Sequence, residues 1–320
     1  MRHLCHSRPG AALRVTGLVL AVLGAGTGTA SASASAGVAA SASVAGMPEH
    51  SPTAAQRELR RLEAGYQGRI GVYAYDTGTG RTFAYRSDER FPLLSTFKAL
   101  AASAVLRKAR QSDPKLLNRV IYWKASEVVD GSPITGKHLK DGMTVAELCD
   151  AALRYSDNTA GNMLLKQIGG PAGVTRFARS LGDRITRLDR IETDLNYWNS
   201  NEKRDTTTPA DVGRDLTQLA VGTALHAKDR ARLNDWLRRN TTGDDRIRAG
   251  LPKTWTVGDR TGSGFNYGTA NDIAVAWPTP HAKPLVIAVY TNRKAADATY
   301  DNKVIANAAT IAAKALGKLP

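Results

Sequence analysis

The chain has few of the residues that would point directly to a function. Only two cysteines, Cys5 and Cys149, occur in 320 residues, so no disulfide framework and no Cys-x-x-Cys pair can be built. The six histidines never fall at metal-ligand spacing and there is no His-Glu-x-x-His, so no metal or other cofactor is expected. Beyond the apolar run from Val15 to Leu23, nothing approaches the ~20 apolar residues that a membrane span needs. Lysine and arginine are scattered rather than blocked with aromatic residues, which make up 6% of the chain; the footprint of a nucleic-acid-binding protein is lacking.

What is present suits a globular protein with a sizeable core, at 42% hydrophobic and 23% charged residues. Arg2, Arg8 and Arg14 precede the apolar run, and Gly, Thr, Ala and Ser follow it. That order reads as a secretory signal peptide over residues 1–36, then a low-complexity tail over 37–50 and a globular region over 51–320. The formal charge of +15 becomes +12 once the three leader arginines are gone. The expectation is a basic, secreted monomer without stable membrane insertion, acting on a small molecule. Cys149 shares an apolar helical stripe with Val145, Leu148, Ala152 and Leu153, which suggests a buried small hydrophobe rather than a reactive thiol.

Periodicity then changes twice along the chain. Gly68–Asp76 alternates with period two, Thr77-Gly-Thr-Gly80 supplies a turn, and Thr82–Tyr85 extends again, which predicts a hairpin. From Ser95 the spacing is helical through Phe97, Leu100, Ala101, Ala104 and Val105. Thr144-Val-Ala-Glu147 is a capping box, a further helix runs from about Thr159 to Ile168, Thr208-Pro209 opens another, and Leu233, Trp236 and Leu237 mark one more. Strand patterns return around Trp255, at Asp272–Trp277 and at Leu285–Tyr290, before a closing amphipathic helix over 301–316. The fold class is therefore α+β: one antiparallel sheet with flanking helices built from both chain ends, plus an inserted all-α part. The α/β part takes about 51–88 and 248–320, and the helical part about 89–247. A cleft belongs where the two meet.

Three short motifs carry chemistry. Ser95-Thr-Phe-Lys98 places a hydroxyl and an amine on one helical face, and a serine needs such a neighbour to become a nucleophile. By itself the pattern is weak, because Ser-x-x-Lys arises often by chance. Ser156-Asp157-Asn158 lies between two helices, and Arg260-Thr261-Gly262-Ser263-Gly264 follows a short strand; alone, these read as a turn and a strand exit. Together and in this order the three match the signature shared by class A β-lactamases and penicillin-binding proteins.

The sequence resembles the class A serine β-lactamases from about Arg69 to the C-terminal helix. Asp141-Gly-Met-Thr-Val, Ser156-Asp-Asn-Thr-Ala, Leu188–Asn196, Arg204–Pro209 and Arg246–Pro252 look like that family's landmarks. The resemblance implies the serine β-lactamase and D-Ala-D-Ala transpeptidase-like fold, and hydrolysis of penicillins, with extension to cephalosporins, through an acyl-enzyme on Ser95. Lys98 or Glu192 would take the serine proton, Ser156 would protonate the leaving nitrogen, and Glu192 would direct the deacylating water. Substrate would be held by Asn158, Asn196, Arg260, Thr261, Gly262, Ser263 and Arg246, with backbone N–H groups of Ser95 and Ser263 as the oxyanion site. Asn162 would brace Glu192, and an Arg190–Asp205 ion pair would close the loop that carries it.

Three positions depart from the common pattern: Arg260 where a lysine is usual, Thr193 after Glu192 where a proline is frequent, and Gly131 near the place of an aromatic gate residue. A D-alanyl-D-alanine carboxypeptidase or other penicillin-binding protein would share Ser95, Lys98 and Ser156 but not need the Glu192–Asn196 segment. A secreted, non-enzymatic β-lactam-binding protein would not need the hydrolytic residues at all. A direct consequence concerns the nucleophile: Ser95→Ala abolishes covalent labelling by a penicillin, read by intact-protein mass spectrometry. Persistent labelling at another serine would refute the assignment.

Overall fold

The computed structural model describes residues 53–320, so the expected signal peptide and low-complexity tail lie outside the described residues. Thr53 opens α1 (Ala54–Tyr66) with a reciprocal capping box to Gln56. The hairpin of β1 (Gly68–Asp76) and β2 (Thr82–Tyr85) forms in the alternating segment, with Val72 opposite Tyr85. Between the hairpin and the C-terminal strands lie two short pairings, β3 (Phe91–Pro92) with β6 (Thr206–Thr207) and β4 (Val120–Ile121) with β5 (Met143–Thr144). The same stretch holds α2 (Phe97–Gln111), α3 (Val145–Arg154), α4 (Asn158–Gln167), α5 (Pro171–Ser180), α6 (Pro209–Ala220) and α7 (Ala227–Arg238). The chain then returns to the sheet with β7 (Thr256–Ser263), β8 (Ala270–Trp277) and β9 (Leu285–Arg293), and closes with α8 (Asn302–Ala315).

The main sheet runs β2-β1-β9-β8-β7, antiparallel throughout, so strands from both chain ends meet at the β1–β9 pairing, Val72 opposite Val289. Successive side chains of a strand point to opposite faces, and β8 and β9 are apolar on both. Ile273, Val275, Val286, Ala288 and Tyr290 join the core beneath the helical part. Ala274, Ala276, Leu285, Ile287 and Val289 join the core beneath α8 and α1. Helix α6 approaches the first face closely: a Cβ on Gly213 would lie 2.3 Å from the Tyr73 ring. The Thr208 hydroxyl caps this helix on Asp211 N, with Pro209 in its first turn.

Helix α2 is buried on every side through its first ten residues, Lys98 included. Its alanines suit that position, since short side chains let neighbouring helices come near from all directions. Cys149 is likewise buried on α3, and burial pushes its thiol well above the usual range, the opposite of what a reactive thiol requires. Among the described residues no helix is long and apolar enough to cross a membrane.

A buried pair of carboxyls joins the segment after α5 to α6. Asp183 and Asp215 are both buried, and neither Asp183 Oδ2 nor Asp215 Oδ2 meets a protein donor. A proton shared between the facing carboxyls satisfies both oxygens. Burial first, and the Asp183 charge second, hold the Asp215 carboxyl up to about 9. The native state then keeps a proton that the unfolded chain, near 3.8, releases, so stability falls as pH climbs between those values. Asp215→Asn removes the loss: its melting temperature exceeds that of the parent at pH 8, and the gap narrows toward pH 5. Parallel melting curves over that range would show that the pair carries no proton.

Candidate active site

Ser95 sits in a 3-10 turn, Leu94–Thr96, that leads into α2. Leu94 adopts a left-handed φ of 48°, a conformation that costs a non-glycine residue about 1–3 kcal/mol. Surrounding bonds hold it there: Asn271 Nδ2 donates to Pro92 O at 2.7 Å, Thr96 Oγ1 to Leu93 O at 2.5 Å, and Leu93 N to Asp205 O at 2.7 Å. One helical turn on, Lys98 Nζ donates to Ser95 Oγ at 3.0 Å, Ser156 O at 2.8 Å and Asn158 Oδ1 at 2.6 Å. It also pairs with Glu192 Oε1 at 2.8 Å. Complete burial pushes the amine down to about 8, against the Glu192 charge that raises it, while nearby Arg260 lowers it further. A Cβ on Gly161 would stand 2.8 Å from Lys98 Cε, so only glycine lets α4 pass this close.

The Ser-Asp-Asn turn divides its labour. Asp157 is structural: its carboxylate caps α4 through Ala160 N and accepts from Ile134 N, Thr135 N and Thr135 Oγ1 at 2.7–2.9 Å. Ser156, at φ 57°, points its hydroxyl at Arg260. Asn158 accepts from Lys98 and donates through Nδ2 to Asp130 O at 2.7 Å. Gly131 presents backbone only, at φ 73°, and a Cβ there would stand 2.7 Å from Asn158 Nδ2.

Glu192 is 2% exposed. Asn162 holds its backbone from both sides, Nδ2 to Glu192 O and Glu192 N to Oδ1, each at 2.9 Å. Asn196 Nδ2 donates to Oε2 at 2.6 Å, and Ser95 Oγ donates to Oε1 at 2.9 Å. The Glu192–Thr193 peptide is cis. Arg190 Nε bonds Asp205 Oδ2 at 2.5 Å, and Asp205 Oδ1 accepts from Asp189 N and Arg190 N. The expected ion pair thus closes the base of the loop.

The basic element is part of β7 itself, where a short strand with a glycine-rich exit was expected. A Cβ on Gly262 would meet Leu94 Cβ at 2.8 Å and Ser95 N at 3.1 Å, so the glycine lets this edge strand lie against the serine turn. Arg260 is fully buried; Nη2 donates to Ser156 Oγ at 2.9 Å and Nη1 to Thr261 O at 2.5 Å. Its guanidinium does not line the cleft and acts on it through Ser156 and through its charge. Arg246 does reach the cleft, donating to Ser263 Oγ at 2.6 Å and to Gly262 O and Asn271 O at 2.7 Å.

A cavity of about 750 Å³ joins Ser95, Ser156, Asn158, Asn196, Arg246, Thr261, Gly262 and Ser263. Lys98, Glu192 and Arg260 form a buried layer beneath it, and Asn162, Arg190 and Asp205 stand one contact further back. Sequence reasoning missed Thr242, whose hydroxyl bonds that of Thr261 at 2.6 Å, and Asn302, which accepts from Arg246 Nε at 2.9 Å. No local pattern marks either residue. Among the described residues there is no group of three or more His, Cys, Asp or Glu side chains able to hold a metal.

A serine hydroxyl between a carboxylate and an ammonium, facing a cleft with one cationic end, suits acyl transfer from an anionic substrate. Comparison with known proteins agrees. Residues 54–316 match the model of the beta-lactamase enzyme family. The chain is 50% identical over 264 residues to a β-lactamase of Amycolatopsis lactamdurans, covering 82% of this chain and 86% of that protein. It is 51% identical over 257 residues to the carbapenem-hydrolyzing β-lactamase KPC of Klebsiella oxytoca, covering 80% and 87%. The crystal structure of a β-lactamase from Streptosporangium roseum superposes with a TM-score of 0.82 at 64% identity, covering 83% of this chain and 99% of that one. The chain belongs to the β-lactamase enzyme family and is a class A serine enzyme that hydrolyses β-lactams.

Proposed function

We propose that hydrolysis of penicillins, and by extension cephalosporins, runs through an ester on Ser95 that Glu192 both helps to form and clears. The observation that carries this reading is the pair of bonds at one oxygen: Ser95 Oγ donates to Glu192 Oε1 and accepts from Lys98 Nζ. In acylation Glu192 takes the hydroxyl proton, directly or through a water, as Oγ forms its bond to the lactam carbonyl carbon. The Lys98 ammonium stabilises the developing alkoxide. Negative charge on the carbonyl oxygen falls to the N–H groups of Ser95 and Ser263.

The carbon–nitrogen bond then breaks as the nitrogen takes a proton from Ser156 Oγ, and the proton that Glu192 took from Ser95 passes by way of the Lys98 ammonium to Ser156, which restores the Ser156 hydroxyl and the Glu192 carboxylate. Because Ser156 Oγ already accepts from Arg260 Nη2, its own O–H is free to turn toward the cleft. The substrate carboxylate meets Arg246, Thr261 and Ser263, and Asn158 and Asn196 meet its acylamide. Deacylation reuses Glu192: with Asn196 it orients a water, removes its proton and returns one to Ser95 as the ester opens. Export of the mature enzyme is part of the proposal, supported by the three arginines ahead of the Val15–Leu23 run.

Two measurements test the scheme. Glu192→Ala removes a general base worth about 10²–10⁴-fold in rate, and it also removes the anion that holds the Lys98 proton. The freed amine serves as a substitute base for acylation, so an adduct on Ser95 builds up and persists for minutes by intact-protein mass spectrometry. Clearance at the parent rate would assign deacylation to another group. The second measurement is the pH profile of kcat/KM for a penicillin. With Glu192 as base and Lys98 charged, it falls as pH rises through about 8; a rise through the same range would make the neutral Lys98 amine the acylation base.

A further inference from the structure

Two hollows adjoin at the end of the sheet where β1 starts and β9 finishes. One, of about 590 Å³, is walled by α1, the strand ends and the segment after β9; the other, of about 730 Å³, by the strand ends and the segment between Trp198 and Thr206. Arg69, Arg293 and Lys294 line both, so the two form one groove. No residue of this groove lines the cavity at Ser95. The strand register creates its floor: Gly68 stands opposite Arg293, and Arg69 opposite Asn292. A Cβ on Gly68 would lie 2.2 Å from Asn292 O, so glycine lets the strand ends close.

The acids of the groove are already engaged. Glu63 pairs with Arg86 at 2.8 Å, Glu89 with Arg69 at 3.0 Å, and Glu202 with Arg204 at 2.6 Å. Arg60, Arg90, Lys203, Arg293 and Lys294 remain on the walls with no carboxylate at ion-pair distance among the described residues. Two of them are anchored guanidiniums. Arg293 Nη1 donates to Tyr66 O at 3.0 Å, with the guanidinium 4.3 Å from the centre of the Tyr66 ring. Arg90 Nη1 donates to Ile185 O at 3.1 Å and to Thr206 Oγ1 at 2.9 Å. A guanidinium carries five N–H donors, so each keeps part of its fork for a ligand. Arg60, Lys203 and Lys294 are exposed.

Cations spread along a groove, rather than gathered at one point, suit a ligand whose negative charge is also spread along its length. Guanidinium forks and ammonium groups both match phosphate oxygens. The aromatic residues of the groove argue against a ligand that carries bases. Trp198 and Tyr267 meet edge to face with ring centroids 5.6 Å apart, and the Arg69 guanidinium covers Trp198 at 5.9 Å. Trp198 is 8% exposed, so it offers no free face on which a base could stack.

We propose that this groove binds a linear polymer of phosphate groups without bases, and that the protein holds such a chain while the cavity at Ser95 stays open. The contacts are charge pairs with successive phosphates, so the hold is reversible and weakens steeply with salt. It does not depend on which β-lactam the enzyme hydrolyses.

The test measures binding of long-chain inorganic polyphosphate to the intact protein over a range of sodium chloride concentrations. One variant combines Arg60→Ala, Lys203→Ala and Lys294→Ala. A control combines Lys115→Ala, Lys228→Ala and Lys253→Ala, which removes the same charge from exposed positions outside the groove. Each phosphate neutralised on a single chain adds about 0.7 to the slope of log K against log salt, so the groove variant has a slope shallower by about 2 and binds roughly tenfold more weakly at low salt. The control keeps both near the parent values. Equal melting temperatures show that the variants fold, and the corresponding Gln substitutions, which keep the side-chain bulk, reproduce the loss. Penicillin turnover by the parent is unchanged by saturating polyphosphate. Absence of binding by the parent, or equal weakening in the groove and control variants, overturns the proposal. So does tighter binding of oligothymidylate than of polyphosphate, which would make the groove a nucleic-acid site, and so does inhibition of turnover by polyphosphate, which would place the chain in the catalytic cavity.

Discussion

The structure is organised around one buried ammonium. Lys98 sits on a helix packed on all sides, fully out of contact with water, and burial of an unpaired charge would cost far more than any single contact returns. It remains because oxygens from three separate stretches converge on it: Ser95 from the 3-10 turn that leads into α2, Ser156 and Asn158 from the turn after α3, and Glu192 from the loop before β6. Two side chains needed for acyl transfer, Ser95 and Glu192, are thus among the groups that solvate the lysine. Losing one partner of such a buried pair typically costs about 3–5 kcal/mol, so the assembly of the site and the stability of the helical part are coupled.

Strain accompanies this convergence. Leu94, Ser156 and Asp205 all have left-handed φ values without being glycine. Each is held by bonds that would be lost if it relaxed: Pro92 O and Leu93 O to Asn271 and Thr96, Ser156 O to Lys98, and the Asp205 carboxylate to Asp189 N, Arg190 N and the Arg190 guanidinium. The strained backbone turns Ser95 and Ser156 toward the same cavity. Glycines do the complementary work at Gly161 and Gly262, where a Cβ would separate the elements that must touch.

On the β7 side, a second buried charge network sets the polarity of the cleft. Asp259 accepts from Arg248 Nε and Asn240, and Asp272 accepts from Ile247 N and fixes the turn that carries Arg246. Burial and the neighbouring Asp259 hold the Asp272 carboxyl above the ordinary range. Arg246, beside this network, lines the cavity, and Arg260 reaches it through Ser156 Oγ. The basic end of the cavity comes from this local arrangement rather than from the formal charge of +15 spread along the chain.

What could be read in the sequence was local. The hairpin, the Thr144 and Thr208 caps and the C-terminal strand segments were legible because period, capping and turn chemistry act within a few residues. Ser95, Lys98, Ser156 and Glu192 were legible because three short motifs and a loop recur in one order. Contacts across many residues left no local mark: Asn302 under Arg246, Thr242 on Thr261, and the Asp183–Asp215 pair. Arg260 makes the division plain. Its place in the motif was visible from the sequence, and its chemistry, a charged group needing an oxygen partner, was certain. Whether the guanidinium would line the cavity or be buried on Ser156 Oγ depends on how the turn after α3 packs against β7, and only the tertiary structure decides that.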